Sequence, residues 1–346
     1  MKTRSKLELY GGRVEVKADT AIRIVSGIFQ KIGCSKTAAV QIAEHLTDTS
    51  LCGVESHGLM RALQYVEQFQ SGYMDAKATA SIKTTVHNTH EVDGGGGSGI
   101  PAMHMAFDYG MQLANETGLS ALAIRNVGHT GRHGAYADNA AQKGFLTIMT
   151  GGGNRKNWRQ VAPYGGARAM LPTNPYCIGI PGGERGPVVL DFATSRIAGG
   201  WIYAARSAGA KLPPSCVIDK DGNPTRDPED YFGGGAILPA GEQKGYAMAL
   251  IAEIIGEAML GPSTTESNWF LLTIDTTRYR EKNAMRTAAE EVLAEIRACP
   301  PAPGFGRVEI PGERERDYRV RSNGVIAVPQ ATWEQICELA KELGTA

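Results

Sequence analysis

Apolar residues in the first seventy positions recur every three or four residues, the spacing of helices that pack one face into a core. The run over residues 17–32 has this spacing, and Gly33 is suited to ending a helix. Ser35 can cap a second helix, and a third is expected over residues 56–71. The chain is therefore predicted to begin, after an extended arm over residues 1–16, with a helical unit.

Beyond this unit, short β-like runs alternate with helix-like runs. The predicted strands are 81–86, 91–93, 119–124, 145–149, 176–180, 187–190, 216–219, 269–274 and 325–328. The predicted helices are 101–116, 135–143, 194–209, the buried 243–260, the amphipathic 282–298, and 332–343. Such alternation favours α/β or α+β layering.

Composition narrows the function classes. The 346 residues are 42% hydrophobic and 21% charged, which is typical of globular proteins, and the formal net charge of zero favours neither a nucleic-acid nor a membrane partner. The six cysteines form no CxxC pair, so free thiols in the cytoplasm are expected. Residues 1–17 have no apolar region, so no signal peptide is expected, and the most apolar long run is shorter than the ~20 residues of a membrane span.

A histidine-bearing stretch over residues 126–136 lies between a predicted strand and a predicted helix. Strand-to-helix turns are where open α/β folds place ligand sites. The His129 imidazole, held in a bend with three glycines, could move a proton near neutral pH. A single histidine in a turn is more often structural, so both interpretations stay open.

A second candidate is the Ser56-His57-Gly58-Leu59-Met60-Arg61 segment at the expected start of the third helix. His57 and Arg61 are four residues apart and would share a helix face. Arginine can hold a carboxylate through two hydrogen bonds while histidine handles a proton. From spacing alone, a capped helix start with two surface residues is the simpler interpretation.

A metal site is not expected. His129 and His133 are four apart, but no HExxH pattern occurs and the glycines argue against one continuous helix face.

The run Gly94–Gly99 formally matches the GxGxxG dinucleotide fingerprint. That interpretation needs an acidic residue at the end of the next strand to hold the ribose. The next strand ends in Ile124-Arg125-Asn126 without one, so a glycine turn is predicted instead.

Two further segments are expected to open helices. Asp191-Phe192-Ala193-Thr194-Ser195 follows an apolar strand, and its backbone N–H groups would suit a phosphate, although simple capping explains it equally well. Lys244, before Gly245, has the wrong sign for a helix N-terminus, a mild indication of a phosphate partner.

Taken together, the segments resemble the type 2 malate/L-lactate dehydrogenase family, which includes ureidoglycolate, sulfolactate and diketogulonate oxidoreductases and a cyclic imino-acid reductase. The matching motifs, in family order, are Ser56-His57-Gly58-x-x-Arg61, Asn126-x-x-His129-x-Gly131, Ala162-Pro163-Tyr164-Gly165-Gly166, Thr173-Asn174-Pro175, Val189 to Ser195, Lys244-Gly245-Tyr246 and Pro311-Gly312-Glu313-Arg314.

The resemblance implies an α/β fold with a mixed sheet and a non-Rossmann dinucleotide-binding domain, plus a helical domain built from both chain ends. The implied division is 1–90 with 280–346 for substrate and dimer contacts, and 91–279 for the cofactor. The implied activity is hydride transfer between NAD or NADP and a small 2-hydroxy or 2-oxo acid, in a homodimer. An alternative within the family is NADPH-dependent reduction of a cyclic or N-alkyl imino acid.

The resemblance also assigns roles. His129 matches the proton acceptor of some members, and His57 the proton donor of others, supported by Ser56 and Asp191. Arg61, with Tyr65, matches the substrate-binding positions. The implied cofactor contacts are Asp191, Phe192, Ala193, Thr194, Ser195, Lys244, Gly245, Pro311, Gly312 and Glu313.

The chain departs from the family pattern at three places. Gly151-Gly152-Gly153-Asn154 replaces a Thr-Asn-Ser-like stretch, and Glu242-Gln243 stands where many members have Gly-His. The loop over residues 154–159 is longer and more basic than expected, which suggests a second anionic group on the substrate or the 2′-phosphate of NADP. A non-catalytic ligand-binding member would be expected to lack the site residues, which are present here.

Overall fold

The computed structural model describes residues 12–87, 89–207 and 209–345. They form two compact units, a larger one of residues 13–149, 177–191 and 270–345 and a smaller one that contains residues 150–176 and 192–269. The arm expected over residues 1–16 lies outside the described residues up to residue 11. The expected division into 1–90 with 280–346 and 91–279 concerns where substrate and cofactor bind, and it stays a prediction.

The elements follow in chain order. The α-helices are α1 Ala18–Ile32, α2 Lys36–Leu51, α3 Arg61–Gln70, α4 Gly99–Thr117, α5 His133–Gln142, α6 Gly199–Ser207, α7 Pro228–Phe232, α8 Gln243–Glu253, α9 Lys282–Arg297, α10 Glu313–Ser322 and α11 Gln330–Glu342. The strands are β1 Arg13–Lys17, β2 Ser81–Thr84, β3 His90–Gly97, β4 Leu119–Val127, β5 Phe145–Gly152, β6 Tyr176–Gly183, β7 Gly186–Phe192, β8 Val217–Ile218, β9 Pro224–Thr225, β10 Ala236–Ile237, β11 Asn268–Asp275 and β12 Val325–Pro329.

One seven-stranded sheet has the order β2-β3-β4-β11-β5-β6-β7. Strand β2 pairs antiparallel with β3, whereas β3 pairs parallel with β4 across the connecting helix α4. The sheet is therefore mixed, unlike the mostly parallel sheet of a Rossmann domain. This confirms the predicted fold class.

The two chain ends meet in the larger unit. β1 and β12 form an antiparallel pair from Arg13 opposite Pro329 to Lys17 opposite Val325. Residues of α1, α2, α3, β12 and α11 then share one hydrophobic core, in which Phe29 and Tyr65 have no exposed surface. The prediction of a helical part built from both chain ends is confirmed.

Local signals delimit the first two helices as predicted. α1 ends at Gly33, whose φ of 121° is a backbone conformation that residues other than glycine rarely adopt. The Ser35 hydroxyl oxygen accepts a hydrogen bond from Ala38 N–H at 3.2 Å and caps α2.

The third predicted helix is interrupted. Residues Glu55–His57 form a separate 3₁₀ turn, Gly58 is extended, and α3 begins only at Arg61. The Ser50 hydroxyl of α2 accepts a hydrogen bond from Leu59 N–H at 2.9 Å, and a Cβ on Gly58 would lie 2.2 Å from that hydroxyl. A tertiary contact thus breaks the helix, and the shared helix face predicted for His57 and Arg61 is wrong.

The glycine turn predicted at Gly94–Gly99 is also wrong. Residues 94–97 continue β3 with an irregularity before Gly97, and Gly99 is the first residue of α4. A Cβ on Gly94 would lie 2.7 Å from the Asn126 carbonyl oxygen, and one on Gly99 would lie 2.6 Å from the Gly128 carbonyl oxygen. These glycines serve the close packing of β3 and α4 against the end of β4.

Two helix predictions in the smaller unit need correction. α6 begins at Gly199 rather than Thr194, because Thr194 uses its N–H and hydroxyl to bind the Thr173 carbonyl, at 3.0 and 2.9 Å. Asp191 to Ser195 therefore do not open a helix. The helix predicted over 243–260 is α8 followed by a π-helix, Ile254–Met259, and it is only partly buried, since Ile251 is 54% exposed.

We predict that Gly99→Ala lowers the free energy of unfolding by about 1–3 kcal/mol, because the added methyl overfills a packed contact with Thr130 and Gly128. Urea unfolding followed by circular dichroism measures the change. Gly199→Ala is the control, since its Cβ would approach only the end of the Gln160 side chain. Equal stability of the two variants would contradict the packing argument.

Candidate active site

The backbone of the His129 loop is fixed at both ends of its first turn. Gly128 N–H donates to the Gly97 carbonyl at 2.8 Å, and the His129 carbonyl accepts from Gly99 N–H at 3.1 Å. The first N–H group of α4 therefore binds the chain itself, whereas a Rossmann fingerprint would present this group to a pyrophosphate. This contact agrees with the prediction that the run Gly94–Gly99 is not a dinucleotide-binding loop.

The His129 ring is held through its Nδ1 atom. Nδ1 accepts a hydrogen bond from Gly131 N–H at 3.2 Å and lies 2.6 Å from the Tyr65 hydroxyl oxygen. An amide N–H can only donate, so Nδ1 carries no proton. The neutral ring therefore has its proton on Nε2.

His57 lies beside His129, with ring centroids 5.3 Å apart and planes inclined by 31°. Its Nδ1 is 2.9 Å from the Ser56 hydroxyl oxygen, and the predicted support of His57 by Ser56 stays a prediction. Burial and then the nearby Arg61 charge lower the pKa of His57 to about 3. The same two causes hold the pKa of His129 well below its usual value, so both imidazoles are neutral at pH 7.

Arg61 is the positive charge of the site. Its Nε donates to the Ser56 carbonyl at 2.6 Å, and its Nη1 donates to the Gln64 side-chain oxygen. Among the described residues, no carboxylate pairs with this half-buried guanidinium. An unpaired guanidinium beside two neutral imidazoles is suited to binding an anion.

Tyr65 is enclosed in the core of the larger unit. It has no exposed surface, and its ring lies 6.3 Å from that of Phe29. Its hydroxyl faces His129. The predicted role of Tyr65 in substrate binding stays a prediction.

Asp191 caps the start of α5, although it lies 57 residues further along the chain. Its carboxylate accepts a hydrogen bond from Gly134 N–H at 2.6 Å, in the first turn of α5. A negative charge at that position is favoured by the helix dipole. Within the described part of the chain this is the hydrogen bond that Asp191 forms, and neither Ser56 nor His57 is its partner, so the predicted support of His57 by Asp191 stays a prediction.

A second group of rings lies behind the His129 loop, and the sequence analysis missed it. The His45 Nε2 atom accepts from Arg132 N–H at 2.9 Å, and the His45 ring stacks on Tyr136 with centroids 4.8 Å apart. His104 meets Tyr136 edge-on at 5.0 Å. His45 and His104 stand among apolar residues of predicted helices, and this placement was the only signal that the sequence offered.

The second histidine of the suspected metal pair is part of this packing. His133 is buried, and its Nε2 lies 2.7 Å from the Thr130 hydroxyl oxygen. Across the described residues, no group of three or more His, Cys, Asp or Glu side chains is placed to hold a metal ion. The same residues include no helix long and apolar enough to cross a membrane.

In the smaller unit, two of the segments assigned to the cofactor come together. Ala240 N–H donates to the Thr194 carbonyl at 2.8 Å, and a Cβ on Gly245 would lie 2.0 Å from the Ala240 carbonyl oxygen. The start of α8 has no side-chain cap, and Lys244 there is exposed without an ion pair in the described chain. An exposed ammonium at the start of a helix has the charge that suits the phosphates of a nicotinamide dinucleotide.

The third assigned segment belongs to the larger unit. The Pro311 carbonyl accepts from Val189 N–H at 3.1 Å, which ties the segment to β7. Glu313 is buried and pairs with Arg297 at 2.8 Å and with Arg185 at 3.5 Å. Its carboxylate therefore has a structural function at the start of α10, whatever else it binds.

The basic loop over residues 154–159 is partly neutralised. Arg155 pairs with Glu257 of the π-helix at 2.9 Å, and Arg159 Nε donates to the Arg155 carbonyl at 3.0 Å. The glycines at 151–153, which depart from the family pattern, include one that close packing requires. A Cβ on Gly152 would lie 2.5 Å from the Glu253 carboxylate. The hypothesis that the loop binds an anion now depends mainly on Lys156 and Arg159.

A cavity of about 300 Å³ lies in the larger unit beside the segment that carries His57 and Arg61. It is lined by Glu55, Leu59 and Met60 of this segment, by Tyr318 and Arg321, and by residues of β12. None of His57, His129 and Arg61 borders it.

Comparison with known proteins shows the family to which the chain belongs. Residues 16–337 match the malate/L-lactate dehydrogenase family. Hydroxycarboxylate dehydrogenase B of Escherichia coli K12 is 30% identical over 344 residues, 94% of each chain. A Δ1-pyrroline-2-carboxylate/Δ1-piperideine-2-carboxylate reductase of Pseudomonas putida is 28% identical and covers 91% of this chain and 94% of its own.

The fold comparison agrees with the sequence comparison. The solved structure of sulfolactate dehydrogenase from Methanocaldococcus jannaschii superposes with a TM-score of 0.84 at 28% identity, and the match covers 96% of this chain and 98% of that one. The family match spans nearly the whole length over which the motifs resemble the family. The chain therefore belongs to the malate/L-lactate dehydrogenase family and is a hydroxy acid dehydrogenase that uses a nicotinamide cofactor.

Proposed function

We propose that the chain transfers a hydride between NAD or NADP and the α-carbon of a small, anionic 2-hydroxy or 2-oxo acid at the Arg61, His57 and His129 site. The observation that carries the proposal is the unpaired Arg61 guanidinium beside two neutral imidazoles. A substrate with a carboxylate next to a hydroxyl matches both features, since one group needs a cation and the other needs a proton acceptor.

Arg61 binds the substrate carboxylate in this proposal. Its Nε is already fixed by the Ser56 carbonyl, so the guanidinium plane is held before substrate arrives. Because Arg61 is already in place, binding of the carboxylate also orients the α-carbon of the substrate. Such orientation lowers the activation free energy of the reaction by several kcal/mol. The start of α3 adds a favourable dipole for an anion.

The histidine pair handles the proton of the substrate hydroxyl. In oxidation a neutral imidazole is needed to accept that proton, and both rings are neutral at pH 7. Substrate binding places a carboxylate on Arg61, and this negative charge offsets the charge that lowers the histidine pKa values. The imidazole thus becomes a stronger base when substrate is bound.

The nicotinamide cofactor supplies the hydride acceptor or donor. Asp191 to Ser195, Lys244 with Gly245, and Pro311 to Glu313 are proposed to hold it. The exposed Lys244 and the uncapped start of α8 support this assignment but do not distinguish NAD from NADP. A homodimer in the cytoplasm stays a prediction, and light scattering on the purified chain measures the oligomeric state.

The experiment that tests the function is a substrate panel. NADH and NADPH oxidation is followed at 340 nm with glyoxylate, pyruvate, oxaloacetate and sulfopyruvate, and separately with a cyclic imino acid. Turnover of an oxo acid supports the proposal. Turnover of the imine alone would favour the alternative that the Pseudomonas putida relative suggests, a reductase acting on a C=N bond. Cofactor binding without any turnover would contradict both.

We predict that His57→Ala and His129→Ala each lower kcat/KM by about 10²- to 10⁴-fold, because each removes an imidazole from the reacting oxygen. Steady-state kinetics with the best panel substrate measures the loss. His87→Ala is the control, since His87 is an exposed residue far along the chain from both motifs. Near-normal turnover in both site variants would show that the proton is handled elsewhere.

We predict that Arg61→Gln weakens the preference for acids over the matching amides. The ratio of kcat/KM for pyruvate to that for pyruvamide should fall by about tenfold or more, because a hydrogen bond to a charged group is worth about 1.5–3 kcal/mol. Lys31→Gln removes an exposed charge from the same helical unit and should leave the ratio unchanged.

The same Arg61→Gln variant should shift the pH profile. Arg61 lowers the pKa of His57 and His129, so its removal raises both values. For oxidation, which needs neutral imidazole, the acid side of the kcat/KM profile should move to higher pH. An unchanged acid side, or a shift to lower pH, would contradict the assigned electrostatics.

A further inference from the structure

We infer that Tyr65 is a positioning residue that acts through His129. Together with Gly131 N–H, it keeps the proton off Nδ1, so that neutral His129 meets the substrate oxygen as an N–H donor through Nε2. The inference rests on the proposed function and assigns to Tyr65 a different task from the substrate contact expected from the sequence.

The first support is the pair of donors at one ring atom. Gly131 N–H lies 3.2 Å from His129 Nδ1, and the Tyr65 hydroxyl oxygen lies 2.6 Å from it. With the amide donating, the lone pair of Nδ1 faces both groups, so the Tyr65 hydroxyl is also a donor. A ring held in this way keeps its proton on Nε2. A proton on Nδ1 would instead point directly at the Gly131 N–H group, which also carries a hydrogen.

The second support is the enclosure of Tyr65. The side chain has no exposed surface and packs beside Phe29 in the core shared by the two chain ends. A side chain without accessible surface offers no atom to a substrate. Its hydrogen bond to His129 gives Tyr65 a contact through which it can influence the reaction without touching the substrate.

The third support comes from the backbone that carries Gly131. Gly131 has φ 73°, and a Cβ there would lie 2.3 Å from His45 Nε2. Arg132 N–H binds that same His45 atom at 2.9 Å. The peptide that follows Gly131 is thus held by a buried ring, which restricts the movement of Gly131 and of the N–H group that it presents to His129.

The two histidines then have different roles in the reaction, since His57 accepts the proton and His129 donates a hydrogen bond. In oxidation the substrate O–H bond breaks, its proton bonds to Nε2 of His57, and the α-hydrogen leaves with its electron pair to the nicotinamide while the C=O bond forms. His129 keeps its own proton and stabilises charge on the oxygen by donating a hydrogen bond, as a neutral imidazole can. His57 is free for the transfer when its Nδ1 donates to the Ser56 hydroxyl oxygen, 2.9 Å away.

The test uses the full-length enzyme labelled with ring ¹⁵N-histidine. In the wild type we expect the His129 signals to show the Nε2–H tautomer, and the His129→Gln spectrum identifies them. In Tyr65→Phe, which keeps the ring and its packing, we expect the two ring nitrogen shifts of His129 to move toward each other as the second tautomer becomes populated. A wild-type signal from the Nδ1–H tautomer, or no change in the variant, would overturn the inference.

Kinetics supply the second measurement. We expect Tyr65→Phe to lower kcat about tenfold, the effect of one hydrogen bond of ordinary strength, with KM and the Kd of oxamate changed less than about threefold. A higher KM and Kd at unchanged kcat would instead mean that Tyr65 touches the substrate, and would overturn the inference.

The chain offers a matched control. Tyr109 also places its hydroxyl near a histidine ring, 3.0 Å from His90 Nδ1, away from the site. Tyr109→Phe should leave the His129 signals and kcat unchanged, and a change equal to that of Tyr65→Phe would overturn the inference. If the wild type turned over no acid, the proposed function would fail, whereas the tautomer measured by NMR would still decide the Tyr65–His129 arrangement.

Discussion

The site depends on a backbone contact between the start of α4 and the loop after β4. Gly99 N–H binds the His129 carbonyl, and Gly128 N–H binds the Gly97 carbonyl. A Cβ on Gly99 would lie 2.6 Å from the Gly128 carbonyl oxygen, and one on Gly128 would lie 2.3 Å from the Met74 sulfur, which explains glycine at both positions. The first N–H group of the helix that follows the glycine run thus binds the chain itself and holds the backbone of His129.

The positive charge of Arg61 then affects the protonation of the His57 and His129 rings. Arg61 has no counter-ion among the described residues, and it lies close enough to both imidazoles to lower their pKa values. In a partly buried site such a charge acts more strongly than it would in water. In the proposed reaction, a carboxylate that binds Arg61 would offset the part of the pKa lowering that comes from this charge, while the larger part, which comes from burial, would remain.

The core and the site share a residue. Tyr65 belongs by its ring to the hydrophobic core built from α1, α2, α3, β12 and α11, and by its hydroxyl to His129. Buried tyrosines usually bind a polar partner in this way. The pairing of β1 with β12 therefore contributes indirectly to the orientation of the His129 ring, because it closes the core in which Tyr65 lies.

The sequence by itself determined the elements with strong local signals and the family to which the chain belongs. Caps such as Ser35 and Gly33 act within a few residues, and apolar periodicity marks a buried face without reference to the rest of the fold. Tertiary structure decided what depends on distant partners. Ser50 breaks the helix before Arg61, Thr173 delays the start of α6, and His129 finds Tyr65 sixty-four residues away. Local spacing cannot encode such contacts, because each is a hydrogen bond formed only after the chain has folded.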